Sequence, residues 1–262
     1  MNIKRKYLYA IPAVLVLFIG FEMLSRVLLS PNLVEIEGSP PYLLQTTWHQ
    51  IGDYAAFVEH DTDAGCWATA IAQIAHFHKL NPSGKINYTT TAGKQIVVEL
   101  DDFSFDHAQF ADHLDAHSGA AAKEQVGKYI YYIAVLIYTN FGSSGYIEHE
   151  TMMERIETHL NCDVGFYEYT KATWLGSQPE IRALIQREMD ARRPMMMYFD
   201  NGDDFGHAAV IDSYVLQNGQ FFVHLNMGWG GKNDGWYQPF EKLMGMRDDL
   251  QNRFLVTVSP KL

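Results

Sequence analysis

The chain alternates between two kinds of hydrophobic spacing. In its first two thirds apolar residues recur at helical intervals. Trp67, Ala70, Ile71, Ile74 and Ala75 share one face and predict a helix over Cys66–His78. The same spacing predicts helices over Phe105–His117, Ala121–Tyr138, Glu148–Leu160 and Glu180–Arg192. After Arg192 the pattern changes to short apolar runs bounded by Gly-, Asn- and Asp-rich turns such as Asn218-Gly219. These predict strands at Pro194–Phe199, His207–Val215, Gln220–Leu225 and Phe254–Val258. Helices followed by strands make an α+β protein, not an alternating doubly wound one. The apolar runs Ala134–Tyr138 and Met195–Met197 read as core within those elements.

The N-terminus stands apart. Lys4, Arg5 and Lys6 precede an uncharged, apolar stretch from Tyr7 to Phe21, the layout of a secretory signal or a short membrane anchor. Residues 1–30 are read as that element, 31–41 as a proline-containing linker, and 42–262 as one domain. Signal and anchor both remain open, and both put the domain outside the cytoplasm, with the N-terminal segment as its sole membrane contact.

Composition narrows the function. The chain has 262 residues, 47% of them apolar and 19% charged, which suits an ordinary globular core. A formal charge of −11 repels phosphates and argues against a nucleic-acid partner. The two cysteines, Cys66 and Cys162, allow a disulfide. Their contexts differ, however, and Cys162 reads as a small hydrophobe near a helix-to-strand junction.

Candidate chemistry gathers around Cys66. It follows Gly65 at a predicted helix start, where exposed amides and the helix dipole stabilise a thiolate. Those residues alone fit both a nucleophile and an inert buried thiol. A cysteine nucleophile needs a histidine base, and the base needs a group to hold its ring. His207 opens an apolar strand after Gly206, and Asn226 lies on the next strand of a predicted hairpin. Upstream, the Gln50 amide and the Cys66 backbone N–H are candidate donors to an oxyanion, although Gln50 alone also reads as a solvated loop residue. A rival reading is a metal module built on His76, His78, His107, His113 and His117. His113 and His117 would share a helix face, but the Glu that a metalloprotease motif requires is missing.

Four segments in order resemble the streptopain family of papain-like cysteine peptidases: Trp48-His49-Gln50, Gly65-Cys66-x-Ala68-Thr69-Ala70-x-Ala72-Gln73-Ile74, Gly206-His207-Ala208-x-Val210-Ile211-Asp212, and His224-x-Asn226-x-Gly228-Trp229-Gly230-Gly231-x-x-Asp234-Gly235. A fifth, Gly142-Ser143-Ser144-Gly145, resembles a family loop near the substrate cleft. The resemblance implies a papain-like two-lobed fold, with Cys66 on a helical lobe and His207 and Asn226 on an antiparallel sheet lobe. It implies a cysteine endopeptidase without a cofactor or metal. Cys66 would be the nucleophile and His207 the base. Asn226 would orient the imidazole, Gln50 would complete the oxyanion hole, and Trp229 would shield the His207–Asn226 bond. Gly206, Ser144, Gly145 and Tyr146 would line the cleft. The partner would be a protein or peptide substrate. An amidase or transglutaminase-like acyl transferase uses the same Cys–His pair and is the alternative. Two departures stand out. Met227 occupies a position where the family has tryptophan, which predicts altered activity or specificity. The stretch from Phe21 to Gln50 is too short for a folded inhibitory prosegment, which predicts other control, such as a separate inhibitor protein.

Overall fold

The computed structural model describes residues 33–58, 63–141, 151–200, 206–240, 243 and 252–261. The helices are α1 (Cys66–Phe77), α2 (Ala120–Leu136), α3 (Met152–Leu160), α4 (Lys171–Gly176) and α5 (Gln178–Asp190). The strands are β1 (Lys85–Thr89), β2 (Gln95–Glu99), β3 (Cys162–Thr170), β4 (Met195–Asp200), β5 (Gly206–Gln217), β6 (Gln220–Asn226), β7 (Gly235–Tyr237) and β8 (Asn252–Pro260). β1 and β2 form a hairpin of their own. The other six strands make one antiparallel sheet, in the order β3-β8-β4-β5-β6-β7.

Strand alternation gives this sheet two apolar faces. Met196, Ala208, Val210 and Val256 face the core that contains α1, α2 and α3. Met195, Met197, Ala209, Ile211 and Leu255 face a second core with Ile181 and Ile185 of α5. The Met195–Met197 run therefore feeds both cores and is fully buried, as are Ala134–Ile137 of α2. Helix α1 runs through the middle of the first core. Every residue from Trp67 to Ala75 is buried, so its apolar character extends around the helix and not along one stripe only.

Two expectations change. Phe105–His117 is not helical. Asp106 accepts from the Ala108 backbone and the Gln109 side chain, and Asp115 accepts from the His117 backbone and Ser118. These local side-chain bonds offer the backbone an alternative to the helix ladder. Tertiary partners take further groups: Leu114 N–H donates to the Tyr54 hydroxyl, and Ala111 O accepts from Trp48 Nε1. The 31–41 stretch is likewise not a loose spacer where it is described. Val34 N–H donates to Trp236 O at 3.0 Å, and Ser213 Oγ donates to Pro41 O. Strands β1, β2, β3 and β7 and helix α4 were not anticipated. Cys162, expected at a helix-to-strand junction, is the buried first residue of β3.

No helix among the described residues is long and apolar enough to cross a membrane. Residues 1–30 lie outside the described part of the chain, as do Ser144, Gly145 and Tyr146 of the expected cleft loop.

Candidate active site

Cys66 is the first residue of α1, where N–H groups lack partners within the helix. The preceding Gly65 has φ +88° and ψ 149°, a backbone conformation that essentially only glycine adopts. Its carbonyl takes both the N–H and the hydroxyl of Thr69, which fixes the first turn. Cys66 is partly exposed, and the backbone amide of Ala208, the residue after His207 on β5, favours its thiolate. Helix α1 packs against β5, which brings the helix and the histidine strand together. Burial pushes the thiol up to about 11, against the opposing effect of the Ala208 and Trp67 amides.

His207 is buried, and burial holds its ring down to about 4. Its Nε2 lies 2.9 Å from Met227 O. A carbonyl only accepts, so Nε2 carries the proton and donates, and Nδ1 of the neutral ring is the basic nitrogen. The Trp229 ring covers the imidazole with centroids 4.3 Å apart, and Phe199 meets it edge-on at 5.8 Å. The arrangement is a thiol at a helix start and a buried imidazole of defined tautomer on the strand packed against that helix. It can do proton-coupled nucleophilic chemistry, with the imidazole taking the thiol proton as sulfur attacks.

The orienting contact expected of the Asn226 side chain is made instead by the next residue's backbone carbonyl. Among the described residues, the Asn226 amide is committed elsewhere. Its Nδ2 donates to Thr46 O at 2.6 Å and to Gln73 Oε1 at 3.2 Å. Its Oδ1 accepts from Gln73 Nε2 at 3.1 Å and from Gly228 N–H at 3.0 Å. Gln73 of α1, fully buried, also accepts from the Thr46 hydroxyl and the Trp48 N–H. This network ties α1, the Thr46–Gln50 segment and the end of β6 together. Sequence reasoning gave Gln73 no role. The available signal was an amide set inside the apolar run of α1.

Gln50 is half-buried, and its carbonyl accepts from Ala64 N–H at 2.9 Å, which anchors it to the segment leading into Cys66. His49 bridges Trp229, and Gly230 N–H donates to Trp48 O. Gly206 pairs with Asp200 where β5 begins. A side chain there would collide with the Tyr198 ring, so glycine is required sterically as well as for an open surface. Met227 does not leave a gap over the site: its side chain is fully buried in the second core.

The histidines of the rival metal reading make other contacts. His113 faces Thr47 and Tyr54, while His76 and His107 stack on each other with Nδ1 atoms 2.8 Å apart. Among the described residues no group of three or more His, Cys, Asp or Glu side chains is placed to hold a metal ion.

The Peptidase C10 family profile matches residues 48–237, a span that contains Gln50, Cys66, His207, Asn226 and Trp229. The chain belongs to the Peptidase C10 family. Streptopain of Streptococcus pyogenes is 23% identical over 214 residues, covering 77% of this chain and 52% of the relative. The chain thus spans about half the length of the curated relatives it matches. Among solved structures, the active wild-type interpain A cysteine protease of Prevotella intermedia superposes with a TM-score of 0.65 at 20% identity, over 85% of this chain and 98% of that one. A prointerpain A fragment from the same organism gives 0.63 at 22% identity, over 86% and 75%. These matches fix the fold of this C10 member as α+β and papain-like.

Proposed function

We propose that this C10 family member is a cysteine-type endopeptidase. The observation that carries the reading is a helix-start cysteine on α1, packed against the strand β5 that holds a buried, tautomer-fixed histidine. Cys66 attacks the scissile carbonyl while His207 Nδ1 takes its proton. The resulting imidazolium keeps its Nε2–H bond to Met227 O. The Cys66 N–H and the Gln50 side chain receive the oxyanion. His207 then protonates the leaving amine, and water hydrolyses the thioester. Trp229 screens the Nε2–H bond from solvent, which strengthens it. Gly206 leaves room for substrate backbone, and Ser144, Gly145 and Tyr146 are further substrate-binding residues.

The substrate is a protein or peptide, and the reaction uses no cofactor. The peptidase domain spans 42–262. Residues 1–30 act as a signal or anchor that puts the domain outside the cytoplasm. Cys66→Ala should lose all cleavage of denatured casein and the single iodoacetamide adduct of the wild type. Casein cleavage that survives this substitution would sink the reading.

A further inference from the structure

We infer that Asp234 is a positioning residue of this site: its carboxylate closes the loop that supplies the Met227 O acceptor and the Trp229 cover of the His207 ring. The inference rests on the peptidase reading for its kinetic consequence, but not for its structural one. The loop from Met227 to Asp234 joins β6 to β7. Asp234 Oδ1 accepts from Met227 N–H at 2.7 Å, across seven residues. The carbonyl of that same Met227 takes the proton of His207 Nε2, and the ring of Trp229, two residues on, lies over the imidazole. Asp234 therefore holds one end of Met227 while His207 uses the other.

The loop needs such a clasp. Gly228, Gly230, Gly231 and Asn233 all have positive φ, so the backbone takes tight bends that few residues tolerate. Its internal bonds other than the clasp are long, Lys232 N–H to Trp229 O and Asp234 N–H to Gly231 O, both 3.3 Å. Asp234 is also an expensive choice for a purely structural tie. Burial raises its carboxyl to about 6, and the Met227 N–H is the chief interaction that opposes this. The groups that act on it electrostatically are the buried pair His224 and Asp212, whose Nδ1 and Oδ1 are 2.6 Å apart. His224 favours the Asp234 carboxylate and Asp212 opposes it.

The test compares Asp234→Ala and Asp234→Asn with wild type in the full chain. The first readout is an NMR titration of the His207 ring, which reports tautomer and protonation whether or not the protein cleaves anything. The second is the pH profile of kcat/KM on denatured casein or a peptide excised from it. In Asp234→Ala the Nε2–H tautomer should lose its dominance. The acid limb should move down by about one pH unit, because Met227 O favours the protonated ring. kcat should fall by about tenfold to a hundredfold with KM little changed, as expected for a displaced catalytic group. Asp234→Asn keeps an acceptor oxygen without the charge and should restore tautomer and kcat. A loop with a purely structural tie would lose melting temperature but keep the His207 tautomer and the acid limb, and that result overturns the inference. If Asp234→Ala does not fold, Asp234→Glu replaces it: the oxygen moves by one methylene at constant charge, and the tautomer should again be lost. Wild type that does not cleave casein counts against the peptidase reading, while the NMR arm still decides the role of Asp234.

Discussion

Replacing Asn226 by alanine separates two roles for that residue. The substitution strands three buried groups that have no other described partner: the Thr46 carbonyl, the Gly228 N–H and the Gln73 Nε2 group. Gln73 Oε1 keeps its bonds from Thr46 and Trp48. At about 1 kcal/mol for each stranded group the loss is about 3 kcal/mol. For a chain of this size that lowers the melting temperature by about 6–12 °C. Because Met227 O, and not the Asn226 amide, holds the His207 ring, kcat measured well below the melting range should stay within about tenfold of wild type. Thermal melts followed by circular dichroism and casein hydrolysis at 25 °C are sufficient. A melting temperature within about 2 °C of wild type, together with a kcat loss of about a hundredfold or more, would refute the argument and return Asn226 to the role of orienting the imidazole.

Two further predictions concern packing and protonation. Met227→Trp, which restores the residue expected from the family resemblance, forces a larger ring into a fully buried site. Overpacking of this kind costs about 1–3 kcal/mol, so calorimetry should show a lower melting temperature, and an unchanged one would mean that the side chain has a route out of the core. The histidines set a stability slope. Burial depresses His207 to about 4, so between 6.5 and 4 the unfolded chain binds the proton that the folded chain refuses. This contribution is complete above 6.5 and is lost as pH falls, at about 1.4 kcal/mol per pH unit for a fully buried ring. His76, partly exposed and also held near 4 by burial and by His107, adds in the same sense, while Asp234, raised to about 6, opposes both below that pH. The clean comparison is therefore wild type against His207→Gln in urea titrations at pH 5, 6 and 7. The variant should have the shallower slope, and parallel slopes would show that His207 titrates normally.

What could be read from the sequence follows from the range of each interaction. Helices α1, α2, α3 and α5 and strands β4, β5, β6 and β8 were visible because their hydrophobic spacing is local and burial enforces it. Strand β3 was not visible. Its outward residues include Phe166 and Glu168, its buried end is Cys162, and it is a strand because it pairs with β8, about ninety residues away. Phe105–His117 has a helical apolar period, yet Asp106 and Asp115 form turns and the remaining groups bond to distant partners such as Tyr54 and Gln125.

The site divides along the same line. Cys66, His207, Gln50 and Trp229 were singled out by side-chain chemistry in motif context; in the structure Trp229 covers the His207 ring, α1 packs against β5, and the Gln50 carbonyl bonds the segment that leads into Cys66. The acceptor for the imidazole is a backbone carbonyl, and every residue has one, so composition and spacing contain no trace of it. A polar side chain at the right distance, Asn226, draws the assignment instead. The motif still points to the right place for a physical reason. Asn226 takes the Gly228 N–H with the oxygen that also pairs with Gln73, and so ties the start of the 227–234 loop to α1. Asparagine at this position then reflects a buried amide that joins loop and helix, while Asp234, bonded to Met227 itself, holds the backbone beneath the histidine.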